Sequence, residues 1–412
     1  MEKLAEFIIQ HLEDDIARLV LNRDKWPDIN MDLAVNCIES RHKLKGKVKE
    51  WYDNPELIFP LKLSAEQCSS SATGRYKSSL AERIATECGE IRWKIADLTG
   101  GLGVDSWFFS QKAEHVLYNE ALKELCDAAE HNFKSLGSAN IKVSNHTVVP
   151  SSCTELLHGF SPDIIYMDPA RRGEGGKKVF LIEECTPDVL KLKDELFGLC
   201  RNILIKLSPM ADITMVCNRL GSTCREVHIV ATNGECKELL IWMDREWNDE
   251  YTIMTAEINA EGEGEAFQFK PSQEKESRAT LCKIAGKQEG FLFEPGKALM
   301  KGGSFNLIGS RMGIEKVGTS THYYISDDVS QVEHLRKFGK VFRICSISHL
   351  DKRSIRSVGT EYPYAEVTAR NIPMDTDTLR KKLGIKSGDR FHIFGLRSDS
   401  EGPVLLVTEV IR

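Results

Sequence analysis

The chain has 412 residues, of which 41% are hydrophobic and 28% charged, and it carries a net charge of −6, so two or three domains are expected and a generally basic nucleic-acid binder is excluded. No apolar run approaches the ~20 residues that span a bilayer, and the opening Met1-Glu-Lys-Leu-Ala-Glu lacks the basic start and apolar core of a signal peptide, so a cytoplasmic protein without a membrane partner is expected. The twelve cysteines form no CxxC pair, the closest two being Cys217 and Cys224; no metal site is expected, and Cys37, Cys126 and Cys200, in apolar contexts, read as buried free thiols.

Residues 1–70 read as a helical cap. Leu4, Phe7, Ile8, Leu12, Ile16, Leu19 and Val20 fall on one face at 3.6 spacing. After Pro27 a second helix begins near Met31, with Leu33, Ala34, Cys37 and Ile38 inward and a basic continuation through Arg41 and Lys47. Cys68-Ser-Ser-Ser-Ala-Thr-Gly-Arg-Tyr-Lys77 then leads into a helix with Leu80 and Ile84.

Residues 71–245 alternate strand and helix. An apolar run over 93–96 closes with Asp97, breaks into glycines at Gly100, Gly101 and Gly103, and resumes at helical spacing with Val104, Trp107 and Phe108. Glycines let backbone approach a ligand where a Cβ would clash, and the following helix start offers free N–H groups. The acid precedes the glycines, and the pattern is G-G-x-G rather than G-x-G-x-x-G, which argues against a dinucleotide turn. A second strand over 114–120 ends in Glu120, a carboxylate placed to accept from a ribose diol. The third strand is expected over 141–149 and the fourth over 163–168, ending in Asp168-Pro169 before a loop with Arg171, Arg172, Lys177 and Lys178. The fifth covers 202–208, and a hairpin with an Asn-Gly turn joins 225–231 to 237–243.

The stretch from Asp97 to Asp105 resembles motif I of the class I S-adenosylmethionine (SAM) methyltransferases, and the order of elements is similar to their Rossmann-like, seven-stranded α/β sheet. The resemblance implies SAM as cofactor, held by Asp97, Thr99, Gly100, Gly101, Gly103 and Asp105, with Glu120 on its ribose. The superfamily often has an acid beside the adenine after the third strand; here Pro150-Ser-Ser-Cys153 stands instead, so Ser152 or a backbone N–H is expected to serve. Tyr76 and Lys77 occupy a position that commonly packs over the methionine end of SAM. Asp168-Pro-Ala-Arg-Arg172 resembles motif IV, which reads Asp/Asn-Pro-Pro-aromatic in the amino-methyltransferases. This implies Asp168 and the carbonyl before Pro169 as acceptors for an amine's hydrogens, with Asp168 also against the cofactor. Ala170 and Arg171 replace the second proline and the stacking aromatic, and the arginines suit a phosphate-rich substrate. Lys206 and Glu238, with Asp168 and Lys77 as a candidate first lysine, also resemble the Lys–Asp–Lys–Glu tetrad of ribose 2′-O-methyltransferases. There a lysine with lowered pKa deprotonates the hydroxyl.

Residues 246–335 read as an acidic, turn-rich linker over 246–280 and a small α+β domain that opens with a strand and helix from Phe291. Residues 336–412 read as strands over 336–349, 361–370, 389–394 and 403–410 around a helix over 375–383. Ala369-Arg-Asn-Ile-Pro and Leu379-Arg-Lys-Lys-Leu-Gly resemble the THUMP-like module of a bacterial methyltransferase group with the same Asp-Pro-Ala-Arg-Arg signature, and the Glu-Pro-Gly-Lys-Ala region resembles its small ferredoxin-like domain. Residues 336–412 hold 15 Lys and Arg against 9 Asp and Glu, a charge of +6, which leaves −12 for the rest. A basic module on an acidic body suits a polyanion. By resemblance that partner is structured RNA, rRNA or tRNA, methylated on a base nitrogen in preference to a ribose. The other readings are a protein or small-molecule methyltransferase and a non-catalytic RNA-binding protein.

Overall fold

A computed structural model describes residues 2–171, 182–284, 287 and 289–411. The chain forms two compact units: residues 1–232, 237–251 and 258–263 make one, and residues 233–236, 252–257 and 264–412 the other.

In the first unit seven strands, β1 (Lys94–Asp97), β2 (His115–Asn119), β3 (Ile141–Ser144), β4 (Ile164–Met167), β5 (Asn202–Leu207), β6 (Cys224–Thr232) and β7 (Glu235–Asp244), run in the order β6-β7-β5-β4-β1-β2-β3. The strands from β1 to β5 pair in parallel, and β7 is antiparallel to β5. Asn233 and Gly234 take φ of 52° and 75°, the backbone that a two-residue turn between β6 and β7 requires. β1, β4 and β5 are buried along almost their whole length, as strands covered on both faces must be. The chain builds outward from β1 to β3 and then returns to β4. Strand order therefore reverses between β1 and β4, and open α/β sheets take their ligands at the carboxyl ends of strands at such a point.

The N-terminal helices α1 (Glu2–Gln10), α2 (Ile16–Leu21) and α3 (Met31–Leu44) share one core with this sheet: Phe7, Ile8, Ile38 and Trp51 cluster with Phe108, Tyr118 and Phe133. The expected single face through Val20 is broken. The Asp15 carboxylate accepts from the Arg18 N–H and starts a new helix, which leaves Val20 exposed. Arg41, in the basic continuation of the second helix, is buried and donates to the carbonyls of Tyr52, Asn54, Pro55 and Leu57. The third strand stops at Ser144 instead of 149, because side chains replace the ladder. Asn145 donates to the Glu120 and Ala121 carbonyls, and the Asn119 carboxamide accepts from the His146 N–H. Helices α4 (Ser71–Glu87), α5 (Val104–Ser110), α6 (Lys123–Ser135) and α7 (Val189–Leu199) complete the layers used below. A capping box between Ser70 and Thr73 fixes the start of α4.

In the second unit β8 (Thr252–Glu257) and β9 (Ala266–Phe269) form an antiparallel pair within the acidic stretch. Seven further strands, β10 (Phe291–Pro295), β11 (Glu315–Gly318), β12 (Thr321–Ser326), β13 (Gly339–His349), β14 (Glu366–Arg370), β15 (Phe391–Ser398) and β16 (Gly402–Val410), run β11-β12-β10-β13-β16-β15-β14. β13 pairs with both β10 and β16, so strands before and after residue 336 share one sheet. Two helices, α8 (Lys352–Glu361) and α9 (Thr376–Leu383), pack together beside it. α8 was not expected: Asp351 caps it, and the strand read over 361–370 begins only at Glu366. Its polar surface residues hide the 3–4 spacing of Ile355, Val358 and Tyr362.

Candidate active site

The turn after β1 is stitched to its neighbours by side chains from the sequence motif. The Asp97 carboxylate accepts from the Thr99 N–H (3.0 Å) and the Ser106 hydroxyl (2.6 Å), and burial pushes its pKa up to about 7. Thr99 Oγ1 accepts from the Asp168 N–H at 2.6 Å, tying the turn to the end of β4. Gly101 and Gly103 take φ of 53° and 95°, a region closed to most residues. A Cβ on Gly100 would lie 2.2 Å from the Tyr118 ring, so that glycine is needed for packing; one on Gly101 would meet nothing nearer than 4.0 Å, so the backbone there is open to close approach.

Glu120 sits against the same turn. Its Oε2 accepts from the Gly101 N–H and its Oε1 from the Leu122 N–H, both at 2.9 Å, and each oxygen keeps a further lone pair. An open glycine turn beside a carboxylate with spare acceptors fits the amino-acid and ribose parts of SAM. Ser152 is used differently from expectation. Its hydroxyl closes its own turn on Val149, and Glu195 of α7 accepts from the N–H groups of Ser151, Cys153 and Thr154.

The second group of motif residues meets at the carboxyl ends of β4 and β5. Lys206 Nζ donates to Asp168 Oδ2 at 2.5 Å and makes a long bond of 3.4 Å to Ser69 Oγ. Lys77, fully buried, donates to both Glu238 oxygens at 2.8 Å and to Ser69 Oγ at 3.0 Å. Lys77, Asp168, Lys206 and Glu238, the outermost two of them 161 residues apart in sequence, therefore stand in one cluster. Asp105 joins them rather than the glycine turn. Its Oδ2 accepts from the Ser69 hydroxyl (2.9 Å) and the Tyr166 hydroxyl (2.8 Å), and its Oδ1, which has no hydrogen bond, lies 3.3 Å from Lys77 Nζ.

The electrostatics follow from this packing. Burial acts to lower Lys206, but Asp168, Asp105 and Glu238 outweigh it and hold the ammonium above its ordinary range. The lowered lysine expected from sequence is thus replaced by a raised one. Burial acts to raise Asp105, but Lys77 and Lys206 hold it below the usual carboxylate range. Burial raises Glu238 against the pull of the same two lysines. Asp168 is the open member, with 38% of its side chain exposed, against 13% for Lys206.

Pro169 is buried behind Asp168, and the backbone of Ala170–Arg171 pairs with Cys185–Thr186. The Arg171 side chain and Arg172, Lys177 and Lys178 lie outside the described residues. Tyr76 is not in the cluster; its hydroxyl bonds His228 Nδ1 at 2.8 Å. Ser69 and Tyr166 escaped the sequence reading: Ser69 is one of three consecutive serines, and Tyr166 reads as one more apolar strand residue. Among the described residues no group of three or more His, Cys, Asp and Glu could hold a metal ion, and Cys217 and Cys224 are free thiols 3.4 Å apart.

Residues 339–409 match a family described as THUMP domain-like, and residues 291–331 one described as a ferredoxin-like domain. No curated protein matches the chain. Among solved structures, a putative methyltransferase from Porphyromonas gingivalis W83 is similar over 100% of this chain and 98% of its own, at 28% identity and a TM-score of 0.86. A SAM-dependent methyltransferase from Agrobacterium tumefaciens is similar over 44% of this chain and 64% of its own, at 16% identity and a TM-score of 0.33. An rRNA methylase from Streptococcus thermophilus is similar over 40% of this chain and 94% of its own, at 11% identity and a TM-score of 0.29. The sheet order, the glycine turn, the two C-terminal matches and the full-length likeness agree: the chain belongs to the class I SAM-dependent methyltransferases that carry a ferredoxin-like and a THUMP-like domain.

Proposed function

We propose that this methyltransferase acts on structured RNA and that the methyl acceptor is a ribose hydroxyl. The observation that carries the reading is the cluster of Lys77, Asp168, Lys206 and Glu238 at the carboxyl edge of the sheet. The Asp-Pro signature alone favours a base amine; two lysines and two acids gathered beside it suit a hydroxyl, which must lose a proton as its oxygen attacks. SAM supplies an electrophilic methyl group, held by the glycine turn and Glu120. The protein's task is then to orient the acceptor and to manage one proton. Lys206, held as an ammonium, donates to the acceptor oxygen and stabilises the charge that develops on it. Asp168, the half-open carboxylate, accepts the hydroxyl proton through Oδ1, the oxygen that Lys206 does not hold. Lys206 is thus a donor here and not the base.

RNA is supported by the charge of the second unit. Lys352, Arg353 and Arg356 on α8 and Lys382 on α9 are exposed, and none makes an ion pair among the described residues. Three of them line one shallow cleft with Ser357, Thr360 and one acid, Glu361. Unpaired cations on two packed helices suit a phosphate backbone. The test is to incubate the protein with cell extract and SAM carrying a labelled methyl group. Label that ribonuclease releases supports the reading; label confined to protein or to small molecules overturns it.

A further inference from the structure

We propose that Ser69 is the positioning residue of this site: its hydroxyl is the hub that leaves Lys206, and not Lys77, with an N–H free for the acceptor. The inference rests on the reading above and deepens it by naming what divides the roles of the two lysines.

Donors and acceptors around Ser69 can be matched one by one. A serine hydroxyl has one hydrogen and two lone pairs. Ser69 is buried, and its hydrogen goes to Asp105 Oδ2, an acceptor that has no hydrogen of its own as a carboxylate. Its two lone pairs then face outward to the lysines and receive one N–H from each. An ammonium has three N–H groups. Lys77 uses all three, two on Glu238 and one on Ser69, and none of its side chain is exposed. Lys206 uses two, on Asp168 and Ser69, and its third has no partner among the described residues. It also has the only exposure of the pair.

The orientation of the hub is fixed from behind. The Tyr166 hydroxyl donates to the same Asp105 oxygen, and the Ser70–Thr73 capping box holds the backbone next to Ser69 at the start of α4. Were the Ser69 hydrogen turned toward either lysine, two donors would meet and Asp105 would lose a partner in a buried site. Removing the hydroxyl frees one N–H on each lysine, so Lys206 can settle wholly on Asp168 and close the acceptor position.

The experiment uses the full chain with 15N-labelled lysine, in which slowly exchanging ammonium signals of Lys77 and Lys206 are read by NMR and assigned with Lys77→Arg and Lys206→Arg. In Ser69→Ala both signals are expected to shift or broaden, and kcat for methyl transfer to cellular RNA to fall about tenfold with KM for RNA unchanged. Ser69→Thr, which keeps the hydroxyl, is expected to restore both signals and turnover. If the alanine variant does not fold, Ser69→Cys, a weak acceptor of similar size, takes its place. Unchanged ammonium signals in Ser69→Ala overturn the hub. Altered signals with normal kcat overturn the positioning role. Both readouts stand whichever RNA atom is methylated, so failure of the ribose reading would be seen separately.

Discussion

Lysines do opposite work in the two units. In the first, Lys77 and Lys206 are withdrawn from water, and every acceptor around them can be counted. In the second, Lys352 and Lys382 stand in solvent with no acid within ion-pair distance among the described residues. Buried ammonium groups act through geometry, because a misplaced donor there leaves a carboxylate unpaired. Exposed ones act through summed charge, and no single one matters much. Substitution should therefore be severe and specific in the first unit, and mild and salt-dependent in the second.

The largest expected effect is at the cluster itself. Lys206→Ala should lower kcat by about 10²–10³-fold, the usual loss on removing a donor to a developing oxyanion, with SAM affinity nearly unchanged. Near-normal turnover would return the reading to a base amine held by Asp168 alone. Lys77→Met should leave Glu238 buried without its partner and lower stability by about 3–5 kcal/mol in denaturant unfolding, whereas the exposed Lys352→Met should change it by less than about 0.5 kcal/mol. Equal costs at the two lysines would break the comparison.

A smaller effect tests the cofactor turn. Glu120→Ala should weaken SAM binding by about 1.5–3 kcal/mol in calorimetry of the folded variant, and unchanged affinity would remove Glu120 from that role. In the second unit burial lowers His392 to about 4, where its ring stacks on Phe394 and bonds Thr368 Oγ1. A histidine with a lowered folded pKa binds its proton more readily when unfolded. Stability is therefore full above about pH 6.5 and falls as pH drops toward 4, by about 1–2 kcal/mol at pH 5. His392→Gln should flatten that part of the unfolding profile. The smallest effect belongs to the exposed cations: removing Lys352, Arg353 and Arg356 together should flatten the salt slope of RNA binding by about two to three and leave SAM affinity intact.

Much of the catalytic unit was legible because its motifs combine rare residue types at strand ends. Asp97 with three glycines, Asp168-Pro169, and Lys206 near the end of an apolar strand announce the sheet and its edge. The long-range pairs could be named as a resemblance but not joined, since Lys77 and Glu238 meet only through the fold. Asp105 was legible as part of the turn and misread, because one helical step carries its side chain away from the glycines and onto Ser69 and Tyr166. The burial of Arg41 was not legible, since sequence cannot tell a cation in water from one that gathers four carbonyls in a core. The shared sheet of the second unit was hidden because strand pairing across β13 leaves no local mark.

The most direct test of the ribose reading uses the chemistry of RNA itself. Cellular RNA carrying a labelled methyl group from SAM is hydrolysed in alkali, which needs a free 2′-hydroxyl to attack the adjacent phosphate. Label is expected in alkali-resistant dinucleotides, and is expected to be absent when Lys206→Ala replaces the native protein. Label recovered entirely in mononucleotides would contradict the ribose reading and assign the methyl group to a base.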